Sequence, residues 1–190
     1  MEAWRTCHTH LALEHPVLRV ERATRSLAGG QPHEFIVLRA PHWVNVLPIT
    51  PQGQVVLIRQ WRQGSGQASL EIPGGIIDPG ETPEQAGARE LLEETGYAAA
   101  QMVRLGQVNP NPALFDNTCH SYLALGATPQ AGQRLDDGER IEVLTRPLVD
   151  LPGLVQDGSI DHSLVLAALC FFWLRGGWPP PGTPSCGPGQ

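Results

Sequence analysis

Three glutamates, Glu90, Glu93 and Glu94, crowd into the segment Arg-Glu-Leu-Leu-Glu-Glu-Thr that starts at Arg89. At about 100° per residue the three share one helical stripe, and Ala88, Leu91, Leu92 and Thr95 fall opposite. Like charges three and four positions apart repel by about 0.2–0.5 kcal/mol per pair on a solvated helix. Gathered in a cleft they repel more, unless a hard divalent cation with oxygen ligands sits among them. The chemistry such a site offers is the activation of water and the neutralisation of a polyanionic substrate. Read alone, the three carboxylates are equally a solvated acidic helix face.

The elements that must hold this stripe are legible around it. Asp78-Pro79-Gly80 has the composition of a type II turn. Thr82 then serves as N-cap, with Pro83 at the first helical position and Gln85 completing a capping box. A helix is expected over 83–95, ended by Gly96. Before it, 16–26 and 34–39 are expected as two strands around Ala28-Gly29-Gly30, followed by strands at 43–49, 54–60 and 69–72. The last of these runs into Pro73-Gly74-Gly75. After the helix, strands are expected at 99–108, 119–126 and 140–146, with a long loop from Asn109 to Asn117. A closing helix is expected over 161–175, and a disordered Pro/Gly-rich tail over 176–190. Strands on both sides of one central helix, with another helix late, predict an α/β fold with a mixed sheet flanked by helices.

Composition narrows the function. With 190 residues, 41% apolar and 17% charged, the chain can bury a core. The 13 Lys and Arg against 19 Asp and Glu, without a basic run, argue against a nucleic-acid polymer as ligand. A small phosphorylated ligand stays open, because a bound cation reverses the local sign. Cys7, Cys119, Cys170 and Cys186 lack metal-ligand spacing and are too few for a disulfide scaffold. No signal peptide is read at the start, and the longest apolar run, Leu164 to Leu174, falls short of a membrane span. A cytoplasmic protein without membrane attachment is expected.

The segment from Gly75 to Tyr97 also has a definite spacing: Gly75, five residues, Glu81, seven residues, then Arg89-Glu90-Leu91, Glu93-Glu94, Gly96 and Tyr97. It resembles the Nudix box of the Nudix hydrolases at every fixed position. The resemblance implies a Nudix-type α/β/α sandwich that hydrolyses a nucleoside diphosphate linked to another group. It further implies that Glu90, Glu94 and the backbone carbonyl at Gly74 bind Mg²⁺, or Mn²⁺, with Glu93 as a further ligand or the base that activates water. Gly75, Glu81, Arg89 and Gly96 have structural places in the box, Glu81 and Arg89 as an ion pair bracing the loop against the helix.

The flanks resemble the subfamily of ADP-ribose and nucleoside diphosphate sugar pyrophosphatases. Gln60-Trp61-Arg62 and Leu70-Glu71-Ile72-Pro73-Gly74-Gly75 stand where those proteins have Q-Y-R and L-E-x-P-A-G. By that likeness Arg62 contacts substrate and Glu71 lies beside the metals. Pro112 falls near a proline of ADP-ribose hydrolases, but Asn109–His120 departs from their usual loop, and His120 is expected as a strand residue near the site. Leu135-Asp136-Asp137-Gly138-Glu139 resembles their catalytic loop, which makes Asp137 the general base and Glu139 a metal-side residue. Trp43 is read either as packing or as a platform for a base. Residues 1–40 resemble the extra strands through which such enzymes form homodimers, leaving 41–175 as the hydrolase domain. The expected products are a nucleoside monophosphate and a sugar phosphate. GDP-mannose or a dinucleotide as substrate, and a Nudix-fold sensor that binds without cleaving, are the alternatives.

Overall fold

The structure, a computed structural model, describes residues 1–177. The first 40 residues form a separate antiparallel sheet of three strands, β1 (Arg5–His15), β2 (Leu18–Ser26) and β3 (His33–Arg39). The sequence predicts two strands here, and the extra one is β1. Every residue of β1 is exposed, so it carries none of the alternation that identifies a strand facing a core. Pro16 and Val17 make the turn between β1 and β2 instead of opening the second strand.

The main sheet runs β12-β5-β4-β10-β9, with β6 on β5 and β7 on β4. Its strands are β4 (Trp43–Ile49), β5 (Gln54–Arg62), β6 (Gln67–Glu71), β7 (Gly74–Ile76), β9 (Gln101–Val108), β10 (Cys119–Leu125) and β12 (Ile141–Pro147). β8 (Tyr97–Ala98) and β11 (Thr128–Pro129) form a small ladder of their own. β4 and β10 are parallel, and the other pairings are antiparallel. The mixed sheet of the sequence expectation is therefore present, and Gly74–Ile76 adds a short strand for which the sequence gives no expectation. β4 pairs with β5 only at Ile49–Val55, and β7 lines the rest of its edge through Trp43, Val44 and Asn45.

Helix α1 (Pro83–Thr95) covers one face, packing Ala86 and Leu91 on Val44, Val46, Tyr122 and Ala124. Helix α3 (Ser163–Phe172) covers the other, setting Val165, Ala168, Leu169 and Phe172 against Leu47, Val55 and Leu57. Val44, Val46 and Leu47 are all fully buried, because β4 is sandwiched between the two helices. α3 is shorter than the 161–175 expected: beyond Phe172 the chain widens into a π-type turn over Trp173–Gly177 and kinks at Gly176. A short helix α2 (Leu151–Gln156) follows β12 where none is expected, since Pro152 and Gly153 mask it. Residues 178–190 of the expected tail lie outside the described residues.

The N-terminal sheet is anchored on the loop before β10. Leu38 donates its amide to the Leu114 carbonyl at 2.8 Å, and Arg39 pairs with Asp116 at 2.9 Å.

Candidate active site

α1 begins and ends as its local chemistry requires. Gln85 N–H donates to the Thr82 hydroxyl at 3.2 Å, Thr82 N–H donates to the Gln85 side chain at 2.9 Å, and Gly96 ends the helix at φ 75°. The buried arc of the helix is Ala86, Gly87, Leu91, Glu94 and Thr95, while Ala88 is exposed. The stripe is thus rotated from the sequence expectation, and it turns Glu94 inward.

Glu94 is 4% exposed and accepts a hydrogen bond from the Gly74 amide at 2.8 Å. Burial pushes its carboxyl up to about 8; the Gly74 amide opposes this, and the charges of Glu90 and Glu139 add to it. Glu90 lies against Gly75, where a Cβ would come within 2.6 Å of its carboxyl carbon, so a side chain at this position would displace the Glu90 carboxylate. Its pKa is also raised, by burial first, against the lowering effect of Arg89.

Arg89 organises the outer half. Its guanidinium donates to both oxygens of Glu81 at 2.9 Å, to the Ile76 carbonyl at 3.0 Å, to Glu90 at 2.9 Å and to Glu93 at 3.0 Å. Glu81 in turn accepts from the Asp78 amide at 3.2 Å, so the loop before α1 is tied to the helix. Among the described residues no three acidic, imidazole or thiol groups already converge as a closed ligand set. Glu90 and Glu93 are drawn toward Arg89, and among the described residues Glu94 has no cation at hydrogen-bond distance.

On the neighbouring strands, Arg62 grips Glu71 with two bonds of 2.7 and 2.6 Å. Burial opposes a charge on Glu71, but the Arg62 fork outweighs it and the carboxyl lies below its ordinary range. Arg62 therefore presents its remaining donor capacity beside a carboxylate that it already neutralises.

Glu139 and Asp137 share a turn and separate in their surroundings. The charge of Glu139 acts on Glu90, Glu94 and Arg62, and its carboxylate accepts from the Asp136 amide at 3.1 Å. Asp137 is exposed on the turn beside Gly138. His120 lies on β10 in register with Val44, whose other partner is Gly75. Its ring meets His42 edge-on, with centroids 6.3 Å apart. Trp43 packs near Phe115.

Gln133 escapes sequence reasoning. Its amide donates to the Glu94 carbonyl at 2.6 Å and the Ile141 carbonyl at 3.1 Å, joining the end of α1 to the start of β12 across the acidic loop. A single glutamine in a loop carries no spacing signal.

Comparison with known proteins fits this geometry. The NUDIX domain model matches residues 40–167. The chain is 29% identical over 150 residues to an ADP-ribose pyrophosphatase of Bacillus subtilis, covering 78% of this chain and 81% of that protein. It is 27% identical over 172 residues to a methanol dehydrogenase activator of Bacillus methanolicus, covering 90% and 93%. In fold it is similar to the crystal structure of an ADP compounds hydrolase, with a TM-score of 0.82 at 24% identity, over 93% of this chain and 97% of the other. The Gly75–Tyr97 motif, the helix that it builds and the match over 40–167 agree: the chain belongs to the NUDIX family of pyrophosphohydrolases.

Proposed function

We propose that the chain hydrolyses the diphosphate bond of ADP-ribose or a related nucleoside diphosphate sugar, with a divalent cation, to a nucleoside monophosphate and a sugar phosphate. The observation that carries the metal dependence is Glu94. A buried carboxylate whose partner is one backbone amide is costly to ionise, and a cation at its free oxygen removes that cost. The donor set, carboxylate and backbone oxygens, suits Mg²⁺ or Mn²⁺. Glu90, Glu94 and the Gly74 carbonyl would hold it, with Glu93 and Glu139 at its margin. Bound there, the cation offsets phosphate charge and lowers the pKa of attacking water.

The residues of the chain do the rest. Arg62, anchored by Glu71, orients a phosphate or sugar oxygen through its free donors. Arg89 holds the helix and the preceding loop in register. Proton removal from water falls to Glu93 on the helix or Asp137 on the loop; Asp137 needs the loop to swing inward. The relatives named for ADP-ribose and ADP compounds support the choice of substrate class.

The N-terminal sheet supports a homodimer through residues 1–40. β1 is exposed along its length, with Leu11 and Leu13 about half exposed, and a second subunit would cover it.

Turnover of ADP-ribose, ADP-sugars and GDP-mannose, with Mg²⁺ and after chelation, tests the reading. Metal-dependent release of AMP and ribose 5-phosphate is expected. Tight binding of these nucleotides without release of products would instead favour a sensor.

A further inference from the structure

The end of α1 that carries Glu93 and Glu94 is closed by one distant segment. A helix leaves its last carbonyls without partners inside the helix. Here the Glu93 carbonyl accepts from the Arg134 amide at 2.8 Å, and the Glu94 carbonyl accepts from the Gln133 side chain at 2.6 Å. The Gly96 carbonyl accepts from the amides of Gln130 and Ala131 at 2.8 and 3.1 Å. This strap, 130–134, is seated so closely that a Cβ at Gly96 would collide with the Ala131 carbonyl. The acidic loop, 135–140, leaves the strap directly.

The far end of the loop is fixed as well. Ile141 is buried and opens β12 in register with Gln60 of β5. Gln133 joins the two ends, because the second hydrogen of its amide goes to the Ile141 carbonyl at 3.1 Å. The tip is also tied. The Glu139 amide donates to the Asp136 carbonyl and the Asp136 amide to the Glu139 carboxylate, each at 3.1 Å, and Gly138 takes φ 95° inside the turn. With base and tip both bonded, Leu135 and Arg140 are left to bend. The turn that bears Asp137 and Glu139 therefore moves as one piece, about a base fastened to the backbone of Glu93 and Glu94.

We propose that Gln133 is a positioning residue for the reaction: it clasps the base of the acidic loop to the last turn of α1, and so sets where the Asp136–Glu139 turn stands relative to Glu93 and Glu94. The inference rests on the activity proposed above. Gln133 is itself exposed, so removing its side chain opens no cavity, and the effect falls on placement rather than on the core.

Two variants of the full chain test it. Gln133→Met keeps the length of the side chain without its donors, and Gln133→Lys keeps donors. Amide exchange of the metal-free protein, resolved by NMR, reads the clasp directly. The Arg134 amide should exchange roughly three- to tenfold faster in Gln133→Met, the range set by one neutral hydrogen bond, and little faster in Gln133→Lys. Amides in the middle of α1, and Tm, should stay at their wild-type values. With ADP-ribose and Mg²⁺, kcat of Gln133→Met should fall by a similar factor with KM little changed, and Gln133→Lys should recover it. An unchanged Arg134 amide in Gln133→Met refutes the clasp. Faster exchange with wild-type kcat, in a chain that turns over ADP-ribose, refutes the positioning role. A lowered Tm with faster exchange throughout α1 assigns Gln133 to stability alone and also overturns the inference. If the wild type hydrolyses no diphosphate and Arg134 is still released in Gln133→Met, the clasp stands and the proposed activity is refuted instead.

Discussion

Replacing Glu94 by Gln should stabilise the metal-free protein at alkaline pH. The folded carboxyl is raised from its ordinary 4.5 to about 8, whereas in the unfolded chain it ionises near the ordinary value. Between those two values the folded state binds the extra proton, so stability falls as pH rises through the window and the penalty is complete above about 8. Every tenfold difference in proton affinity between the folded and unfolded chain is worth about 1.4 kcal/mol, which sets a ceiling near ~5 kcal/mol. Local relaxation and water entry leave on the order of 2–3 kcal/mol. For a chain of this size that is roughly 5–10 °C in Tm. Glutamine keeps an oxygen for the Gly74 amide and carries no charge, so it escapes the penalty. The assay is thermal unfolding of both proteins in chelator from pH 5 to 9.5. The curves should nearly meet at the acid end, draw apart as pH rises toward about 8 and stay apart above it, the variant being the more stable. Added Mg²⁺ should raise the Tm of the wild type most at high pH and leave the variant unmoved. Parallel curves, or a variant less stable at pH 9, would refute the account of Glu94 as an uncompensated buried carboxylate.

The same Glu94→Gln variant should lose at least about a hundredfold in kcat, as one ligand leaves the metal site; full activity at ordinary Mg²⁺ concentration would sink the ligand assignment. Arg89→Met, which removes five hydrogen bonds, three of them linking α1 to Glu81 and to Ile76, should cost about 2 kcal/mol or more in denaturant unfolding. The base is found by kinetics: Asp137→Asn lowers kcat by about 10²–10⁴-fold if Asp137 takes the proton, and Glu93→Gln does so if the helix does. Glu139→Gln should raise the Mg²⁺ requirement, with partial rescue by excess metal. Light scattering should give a dimer, and Leu11→Asp with Leu13→Asp should convert it to monomer; a monomeric wild type at micromolar concentration contradicts the partner surface.

Much of the site is decided within a few turns of chain, and that part is legible in the residues. Thr82, Pro83, Gln85 and Gly96 set the limits of α1 because caps act on adjacent backbone groups, and the boundaries 83–95 are the observed ones. The Glu81–Arg89 brace is also short-range, spanning eight residues. The apolar runs in 43–49 and 54–60 show strands because two covered faces demand apolar residues.

The rest needed contacts between distant segments. Helical phase alone places Ala88 opposite the glutamates, yet the bearing of α1 on Val44 and Val46 leaves Ala88 in solvent and Glu94 inside. β1 is invisible because its hydrogen bonds come from β2 and neither of its faces is buried. β7 exists because the edge of β4 is left open where β5 turns away, a fact of sheet topology without any local sign. Of two acids on one turn, Glu139 is half-buried and its charge acts on Glu90 and Glu94, while Asp137 is exposed. Local propensity and motif spacing determined which groups this protein can bring to the chemistry. Only the packing of the two helices and of the splayed strands decided which carboxylate is dry, because burial depends on everything that covers a residue.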